Sequence, residues 1–591
     1  LVVDGPPTQS IPWLRRRFGS DSVCVGRQLM PRQERYDAIV VGSGITGGWA
    51  AKELTERGLR TLVLEAGRSI DPENDYVMTT QAWELPFRGR RDRIKQERER
   101  PIQRECYACD EWSEKFFVRD DENPYTTEDG KPFLWIRSRQ VGGRSIVWGR
   151  QVYRLSDLDF EANARDGFGV DWPIRYADIE PWYDHVERFI GVSGQAEGLA
   201  QLPDSRFLPP MSLNCAEQHV RESLMSHFSG ERVLTIGRCA ILTANHGGRR
   251  ACHYCGTCER GCTTHSYFSS LAATLPAAAV TGRMTLRPHS VVHSVIYDPT
   301  SGRASGVRVI DAETQETLEF HGRVVFLCAS ALESTRILLH SATERWPDGL
   351  ANSSGQLGHN LMDHTMGGGA QGNISGMDDK WVYGRRPNGI YLPRFRNVSE
   401  QHPDFLRGYA YQGGGSRIGW ARGNDMPGFG ADFKHALRAP GPWQFRFYGF
   451  GECLPRESNQ VTLDPDRVDA WGIPVLNIHC EWSDNERAAL NDMSIQAAEM
   501  LEAAGASEIS TFIEDNPPGL TIHEMGTARM GRDPETSVLN GWNQSWDVPN
   551  LFVTDGACMT SSANQNPSLT YMALTARAVD YAVKQIADGE L

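Results

Sequence analysis

The chain lacks long apolar runs, internal repeats and low-complexity tracts. No apolar stretch in its 591 residues approaches the roughly 18 residues that a membrane-spanning helix needs, so no membrane span is predicted. Residues 1–30 do not show a charged segment followed by an apolar one, which is the pattern of a secretory signal. Positive charge is in deficit, since 61 Lys and Arg stand against 75 Asp and Glu. The net charge of −14 disfavours a nucleic-acid partner.

Cysteine is also sparse, with 13 residues in the whole chain. An odd number at this density does not indicate a disulfide framework. Composition is otherwise that of an ordinary globular protein, with 40% apolar and 23% charged residues. The cysteines in apolar or mixed contexts are predicted to be buried as small apolar side chains; they are Cys328, Cys453, Cys480 and Cys558.

Four cysteines nevertheless fall within eleven residues, in the spacing C-x2-C-x2-C-x3-C: Cys252, Cys255, Cys258 and Cys262, here termed the cysteine loop. Thiolates at this spacing are typical iron–sulfur ligands. The alternative is zinc, but structural zinc sites usually pair two C-x2-4-C elements across a longer gap. Thr263, not Pro, follows the run and no second full run exists, which favours one cluster, 3Fe–4S or 4Fe–4S. Whether Cys262 is the fourth ligand stays open, and no role is predicted for the separate pair Cys106 and Cys109.

A dinucleotide-binding unit is predicted over residues 37–66, near the N-terminus of the chain. A strand, Asp37–Val41, leads through a glycine-rich turn into a helix, and a second strand, Thr61–Leu64, ends at an acidic residue. The glycines allow a tight turn, close approach of a pyrophosphate and close helix–strand packing, while the acid binds ribose hydroxyls. This motif does not separate FAD from NAD. The residues assigned to it are Gly42, Ser43, Gly44, Thr46, Gly47, Glu65 and Ala66.

The rest of the chain alternates between helical and strand patterns. Residues 70–134 are polar and rich in charge, and they are predicted to cross the surface. Residues 282–328 alternate as strands do, and helices are predicted over 172–190, 332–340 and 485–504. The stretch 551–586 is predicted to form a strand, a glycine turn and a helix.

Further segments occur in a fixed order: Gln140–Gly149 (QVGGRSIVWG), His523–Met530 (HEMGTARM), Thr554–Ala557 (TDGA) and Asn566–Thr570 (NPSLT). Together they resemble the glucose–methanol–choline (GMC) oxidoreductase family, which binds FAD, over residues 36–587. The resemblance implies an α/β fold in which a Rossmann-like FAD-binding domain is interleaved with an α+β substrate-binding domain. Residues 1–35 would form an N-terminal arm. The FAD-binding domain would comprise 36–155, 240–365 and 522–591, and the substrate-binding domain 156–239 and 366–521.

The resemblance assigns flavin contacts residue by residue. In the segment 140–149, here termed the Gly-rich loop, Gly142 and Gly143 would lie against the flavin, and Ser145, Trp148 and Gly149 would continue that loop. Val292 would meet the adenine, and Asp555 and Gly556 would lie near the ribityl chain and the pyrophosphate. Pro567 and Thr570 would lie near the pyrimidine edge of the flavin.

His523 and Asn566 match the family positions at the reactive edge of the flavin. A neutral imidazole, with an ordinary pKa near ~6.5, suits the removal of the alcohol proton as hydride leaves carbon for flavin N5. Asn566 is able to donate a hydrogen bond to the same oxygen and also to cap the following helix. His359 and His364 are predicted to be structural residues of a turn beside this site.

The cysteine loop, Arg144–Arg150 and Asp171–Asp178 resemble the iron–sulfur branch of sugar dehydrogenases, the glucoside 3-dehydrogenases above all. The implied activity is oxidation of a ring hydroxyl of a sugar or glycoside, at C3, with electrons leaving through one iron–sulfur cluster to an acceptor such as a cytochrome c. The resemblance also implies a small accessory subunit and export with it to the periplasm, with the cytoplasm as the alternative location. The aromatic and polar stretch Trp381–Tyr391 suits a sugar face, although ordinary loop packing explains it equally well.

Two other functions stay open at this point. One is a GMC dehydrogenase or oxidase for another polyol or aldonate, such as gluconate, fructose or C1 of glucose. An oxidase would release hydrogen peroxide, whereas a dehydrogenase would reduce a dye or a cytochrome instead. The other is an electron-transfer flavoprotein subunit without a substrate site of its own, which the pair His523 and Asn566 disfavours.

We predict that the FAD is not covalently bound. Some relatives attach FAD through a His immediately before the Trp of the Gly-rich loop, and here that position is Val147. Acid precipitation of the purified protein should therefore release its flavin into the supernatant. Flavin that stays on the precipitated protein would contradict this prediction.

Overall fold

The structure is a computed structural model, and it describes residues 35–85 and 92–591. The predicted N-terminal arm, 1–35, lies outside the described residues except for its last member. In the described part no helix is both long and apolar enough to cross a membrane. The helices are α1 (Ile45–Glu56), α2 (Pro72–Asp75), α3 (Arg93–Glu99), α4 (Asp157–Phe160), α5 (Ala162–Asp166), α6 (Tyr176–Ile190), α7 (Cys215–His227), α8 (Thr274–Val280), α9 (Ala331–His340), α10 (Gly430–Arg438), α11 (Asp484–Ala503) and α12 (Ser568–Ala587).

The strands of the described residues form three sheets, and the mixed α/β architecture expected from the sequence is confirmed. The strands are β1 (Arg35–Val41), β2 (Thr61–Leu64), β3 (Thr126–Thr127), β4 (Thr235–Ile236), β5 (Met284–Arg287), β6 (Ser290–Asp298), β7 (Arg303–Asp311), β8 (Thr317–Leu327), β9 (Thr365–Ile374), β10 (Ile390–Leu392), β11 (Tyr409–Arg417), β12 (Trp443–Gly451), β13 (Gln460–Val468), β14 (Pro474–His479), β15 (Ser507–Ile513) and β16 (Leu551–Val553).

The largest sheet has a parallel half in the order β5-β2-β1-β8, with β16 added beside β8. Strands β2 and β16 and residues Ala38–Val41 of β1 are buried on both faces because helices cover both sides of the sheet. In β1, Ile39 and Val41 join one core cluster, while Ala38 and Val40 join another that includes residues of α1 and α12. The β1-α1-β2 unit therefore forms as predicted, and α1 ends at Glu56.

The other half of this sheet is an antiparallel meander, β6-β7-β8. Strand β8 serves both halves. Its first residues pair with β7, whereas its last residues, Val325–Leu327, pair with β16 on the same side and with β1 on the other. The strands predicted within 282–328 are thus confirmed, and β8 carries the chain back to the carboxyl edge of the parallel half, beside Gly42.

A second, antiparallel sheet has the order β15-β9-β12-β11-β10-β4. Helix α11 packs on one face, where Met493 is fully buried and contacts glycines of β9 and β12, since a Cβ on Gly368 or Gly449 would lie less than 3.0 Å from it. Close packing of a helix on a sheet explains why glycine recurs in these strands. The other face bears Met366, Gln412 and Tyr448, which line the cavity described below.

The third sheet, β13-β14-β3, is small and packs beside Phe133 and Trp135. Both of these aromatic side chains are buried, as are Phe116 and Gln103. The prediction that residues 70–134 cross the surface is therefore wrong for the part 99–118, where buried residues are concentrated. The polar composition was misleading because charged side chains such as Glu99 and Asp120 are buried with hydrogen-bond partners instead of facing water.

The longer helices agree with their predictions within a few residues, except that α6 begins at Tyr176 and not near Trp172. The buried positions of Cys328, Cys453, Cys480 and Cys558 are also confirmed. Residues 35–591 pack as one unit. The division into FAD-binding and substrate-binding segments stays a prediction.

Candidate active site

A cavity of about 570 Å³ lies where the carboxyl edge of the parallel strands meets the open face of the antiparallel sheet. Ligands of open α/β sheets commonly bind at this edge. The predicted site residues that line it are Gly42, Ser43, Gly44, Thr46, Glu65, Ala66, Gly143, Ser145, Trp148, Gly149, Val292, His523, Asp555, Gly556 and Asn566.

Each of the three glycines in the turn after β1 is required for a different structural reason. Gly42 has a φ of +95°, and a Cβ there would lie 2.5 Å from the carbonyl oxygen of Cys328. A Cβ on Gly47 would lie 1.9 Å from the carbonyl oxygen of Gly42, so Gly47 allows α1 to approach the strand and does not itself line the cavity. Gly44 has no atom within 4 Å of its Cβ position, and it borders the cavity. The open space at Gly44 is what a pyrophosphate needs at a helix N-terminus.

Glu65 ties this turn to the end of β2. Its carboxylate accepts hydrogen bonds from Ser43 N at 3.1 Å, from Ser43 Oγ at 2.6 Å and from Gly67 N at 3.0 Å. Burial raises the pKa of Glu65, although these hydrogen bonds oppose the rise. Ser43 Oγ in turn accepts from Gly142 N at 3.0 Å, so the turn and the Gly-rich loop are held together.

The residues around the cavity fit a dinucleotide. Ser138 Oγ, Arg139 Nη1 and Tyr571 Oη are buried and lack a hydrogen-bond partner among the described residues, and all three residues line the cavity. Buried polar atoms are almost always paired in folded proteins. Hydroxyl, phosphate and ring atoms of FAD would supply such partners, and Gly44 leaves room for its pyrophosphate.

The Gly-rich loop lies against the turn. Gly143 has a positive φ of +50°, and a Cβ there would lie 3.1 Å from the Cα of Gly44. Ser145 Oγ accepts from Ser270 N at 3.0 Å, and Trp148 Nε1 donates to the carbonyl of Phe268 at 2.9 Å. Gly142 adopts a φ of +95° at the start of the loop but does not line the cavity.

An ion pair that the sequence analysis missed joins this loop to the His523 segment. Arg144 binds both carboxylate oxygens of Glu524, at 3.1 and 2.9 Å. The Glu524 side chain is fully buried, and its charge raises the pKa of Arg144 against the opposing effect of burial. Arg144 and Glu524 belong to two of the motifs that carry the family resemblance, and this membership is the feature of the sequence that could have predicted the ion pair.

The C-terminal residues divide into two groups. Asp555 accepts hydrogen bonds from Ser334 Oγ at 2.5 Å and Ala557 N at 3.1 Å, and burial raises its pKa to about 6. Asp555 lines the cavity, but Pro567 and Thr570 do not. The hydroxyl of Thr570 lies 2.8 Å from the Tyr183 hydroxyl in the core. In their place Ser568 and Tyr571, on the first turn of α12, line the cavity.

His523 and Asn566 meet at the cavity wall, where His523 Nε2 lies 3.5 Å from Asn566 Nδ2. His523 Nδ1 lies 2.9 Å from Nδ1 of His364. Burial chiefly, with the electrostatic effects of His364 and Arg144, lowers the pKa of His523 well below its ordinary value of 6.5. The imidazole is therefore neutral at physiological pH, which is the state that accepts a proton.

Asp363 holds the backbone that carries His523. Its carboxylate accepts from the backbone N–H groups of Gly519 at 2.8 Å and His523 at 3.1 Å, and from the Thr521 hydroxyl. Asp363 is fully buried, and burial raises its pKa to about 6 despite these donors. Asp363 was not predicted from the sequence, although it directly precedes His364 in the turn that was assigned beside the site.

The antiparallel sheet supplies the wall opposite the glycine-rich turn. Met366, Gln412, Tyr448 and Phe450 line the cavity from three neighbouring strands. Gln412 Nε2 donates to Asn566 Oδ1 at 2.8 Å, and the Tyr448 hydroxyl donates to Glu514 at 2.6 Å. The alternation of side chains along each strand predicts which residues share a face of the sheet, but it does not predict which face lines a cavity.

The stretch Trp381–Tyr391 does not line the cavity. The side chains of Trp381 and Tyr383 are exposed, and Arg385 N donates to the carbonyl of Tyr254 at 2.8 Å. Tyr254 belongs to the cysteine loop, so Gly384 and Arg385 pack against that loop.

The cysteine loop lies near the cavity but is not arranged as a closed metal site. Cys252, Cys258 and Cys262 are half-buried against a cluster that includes Tyr267, while Cys255 is exposed. Burial chiefly, with nearby acidic and thiol groups, raises the pKa of Cys258 to about 12. Among residues 35–85 and 92–591, no three His, Cys, Asp or Glu side chains are grouped closely enough to hold a metal ion.

Comparison with known proteins gives consistent matches over nearly the whole chain. Family profiles described as GMC oxidoreductase match residues 36–366 and 455–575. The chain is 30% identical to 2-methyl-1,2-propanediol dehydrogenase of Mycolicibacterium austroafricanum, over 94% of this chain and 96% of that protein. It is 24% identical to the fructose dehydrogenase large subunit of Gluconobacter japonicus, over 94% and 98%. The fold matches pyridoxine 4-oxidase from Mesorbium loti with a TM-score of 0.58 and 18% identity, over 93% and 99% of the two chains.

We predict that Gly44→Ala weakens FAD binding without disturbing the fold. The added methyl group meets no protein atom within 4 Å, but it enters the space assigned to the pyrophosphate. Overpacking of about 1–3 kcal/mol corresponds to a loss of FAD affinity of about fivefold to 150-fold. Fluorescence titration of flavin-depleted protein with FAD measures the change. Gly419→Ala, whose Cβ also meets nothing within 4 Å, is the matched control; equal FAD affinity in both variants would contradict the assignment.

Proposed function

The chain belongs to the GMC oxidoreductase family, and on that premise we propose that it is an FAD-dependent dehydrogenase for a ring hydroxyl of a sugar or glycoside, C3 foremost. The observation that carries the proposal is the pair His523 and Asn566 at the wall of a cavity that fits FAD. A neutral imidazole beside an amide is the arrangement that removal of an alcohol proton requires.

The protein residues have distinct parts in such a reaction. FAD, when bound, supplies the acceptor for the hydride that leaves the carbinol carbon. His523 Nε2 accepts the hydroxyl proton, and Asn566 Nδ2 donates a hydrogen bond to the same oxygen. Gly42–Gly47, Glu65 and the Gly-rich loop hold the cofactor without a covalent bond. Asp363 keeps the His523 backbone in place through its three backbone and hydroxyl contacts.

The proposed substrate class rests on the cavity wall and on the relatives. Gln412 and Tyr448 present polar groups on the antiparallel sheet, while Met366 and Phe450 present apolar surface. A sugar ring has a matching combination of hydroxyl groups and an apolar face. The similarity to a fructose dehydrogenase subunit over nearly the full length of both chains supports a sugar or polyol substrate.

A second candidate is a small aliphatic diol. The 30% identity to a 2-methyl-1,2-propanediol dehydrogenase is higher than the identity to the fructose dehydrogenase subunit. A diol needs the same base and the same amide donor, because the reacting group is again an alcohol. The two candidates differ in the size of the substrate, and a substrate panel separates them.

We further propose that the cysteine loop binds one iron–sulfur cluster that passes electrons to an external acceptor. Four thiols in eleven residues are the chemistry that supports it. Arg150 connects the loop to the cavity, since it lines the cavity, lies 3.7 Å from Glu259 and has its guanidinium 4.8 Å from the ring centre of Tyr267. A cytochrome c as acceptor, a small accessory subunit and a periplasmic location complete the proposal.

The substrate proposal predicts that a sugar or glycoside bleaches the flavin under anaerobic conditions. The panel should include a glucoside, gluconate, fructose, glucose and 2-methyl-1,2-propanediol, with the product identified by mass spectrometry and NMR. His523→Ala should keep FAD and reduce its flavin at least about a hundredfold more slowly, because the proton acceptor is removed. His359→Ala, which changes a histidine outside the cavity, is the control.

A His523→Ala enzyme that is reduced at the wild-type rate would reject the catalytic assignment. Exclusive oxidation of the diol would favour the second candidate. Stoichiometric hydrogen peroxide in air would favour an oxidase over a dehydrogenase.

The cluster proposal predicts iron and acid-labile sulfide in anaerobically purified protein, with an electron paramagnetic resonance signal that changes on reduction. Cys258→Ala should lose iron and the signal, because it removes a thiol of the loop. Cys239→Ala is the matched control, since Cys239 is a buried cysteine of the same apolar cluster outside the four-cysteine run. Zinc in place of iron, or protein without metal, would overturn the cluster proposal and leave the substrate proposal intact.

A further inference from the structure

A continuous hydrogen-bonded line crosses the site from one buried carbonyl to the antiparallel sheet. It runs from the Ser562 carbonyl through His364, His523 and Asn566 to Gln412. Its members come from four separate parts of the chain. Donors and acceptors along this line determine one another, because a neutral imidazole has one N–H and one proton-free nitrogen.

The first link determines the tautomer of His364. Its Nε2 lies 3.2 Å from the carbonyl oxygen of Ser562, and a carbonyl oxygen only accepts. Nε2 therefore carries the proton. The His364 side chain is buried, and burial lowers its pKa to about 4, so the ring is neutral and its Nδ1 is proton-free.

The second link then determines the tautomer of His523. The two Nδ1 atoms lie 2.9 Å apart, and a hydrogen bond between them needs one proton. Because Nδ1 of His364 is proton-free, Nδ1 of His523 is the donor. The neutral His523 ring consequently has its proton-free nitrogen at Nε2, which faces the cavity.

The other end of the line orients Asn566. Gln412 Nε2 donates to Asn566 Oδ1 at 2.8 Å, which turns Nδ2 of Asn566 toward Nε2 of His523, 3.5 Å away. A proton-free nitrogen and an N–H group therefore point to the same part of the cavity. An alcohol oxygen placed there would donate its proton to one of them and accept a hydrogen bond from the other.

We propose that His364 is a positioning residue that holds His523 in the tautomer with a proton-free Nε2. Gln412 likewise holds the amide of Asn566 in the orientation that directs Nδ2 toward His523. This proposal rests on the proposed function, because it specifies which nitrogen of His523 accepts the substrate proton. Without His364, the Nδ1–H of His523 would be buried and unpaired. The alternative tautomer, with its proton on Nε2, would then be favoured. In that tautomer the nitrogen that faces the substrate carries a proton and is unable to accept another.

The test compares His364→Leu, His364→Gln and the control His359→Gln in the FAD-loaded enzyme. Leucine offers neither a donor nor an acceptor, so the rate of anaerobic flavin reduction should fall about tenfold to a hundredfold. Glutamine carries an acceptor for the His523 N–H and a donor for the Ser562 carbonyl, so it should restore most of the rate. His359 contacts the Glu457 carbonyl and does not line the cavity, so its change should have no effect.

A spectroscopic readout tests the same point without turnover. Histidine-selective ¹⁵N NMR of the FAD-loaded protein distinguishes protonated from proton-free ring nitrogens, and His364→Gln and His523→Gln assign the two rings by the loss of their signals. We expect His523 with a proton on Nδ1 and His364 with a proton on Nε2. In His364→Leu the proton of His523 should move to Nε2.

Several results would overturn the proposal. They are a wild-type His523 with its proton on Nε2, a His364→Leu variant that reduces flavin at the wild-type rate, and a His364→Gln variant as slow as the leucine variant. If no alcohol reduces the flavin, the proposed function fails. The NMR measurement on the wild-type protein still decides the tautomer in that case and also if the leucine variant does not fold.

Discussion

The buried carboxylate of Asp363 joins the two halves of the site. It lies immediately before His364 and strand β9 of the antiparallel sheet, and it binds the backbone N–H groups of Gly519 and His523. The paired backbone groups of Met362 and Met525 continue this connection. The segment that carries the proposed base is therefore attached to the sheet that forms the opposite cavity wall. Displacement of this segment would separate His523 from both His364 and Asn566.

Burial gives the groups around the cavity their chemical state. The pKa of His523 and of His364 is lowered, whereas the pKa of Asp363, Glu65 and Asp555 is raised. One cause acts in both directions, since removal from water disfavours every charged form. The site therefore contains neutral imidazoles whose donors and acceptors are set by hydrogen bonds and not by bulk pH. This is why the direction of each hydrogen bond has consequences for proton transfer.

Sequence patterns predicted those parts of the fold that are formed by residues close together in the chain. The strand Asp37–Val41, the glycines that follow it and Glu65 lie within one βαβ unit, and the structure has that unit with nearly the predicted bounds. The part 99–118 was predicted wrongly because its burial depends on partners in other segments, as Phe116 shares one apolar cluster with Ile146 and Val147. Trp381 is exposed and does not line the cavity, since polar and aromatic composition does not specify which surface a loop covers.

Local patterns indicated an α/β fold with a dinucleotide site, because glycine conformations and strand periodicity are properties of neighbouring residues. The histidine–asparagine pair and the redox activity were implied by the resemblance of four ordered motifs to the GMC oxidoreductase family. The assembly of the proton-accepting site depended on tertiary structure. His364, Gln412, His523 and Asn566 belong to four segments far apart in the chain. Their hydrogen bonds arise only after two sheets pack around one cavity, since donor direction and distance are set by that packing.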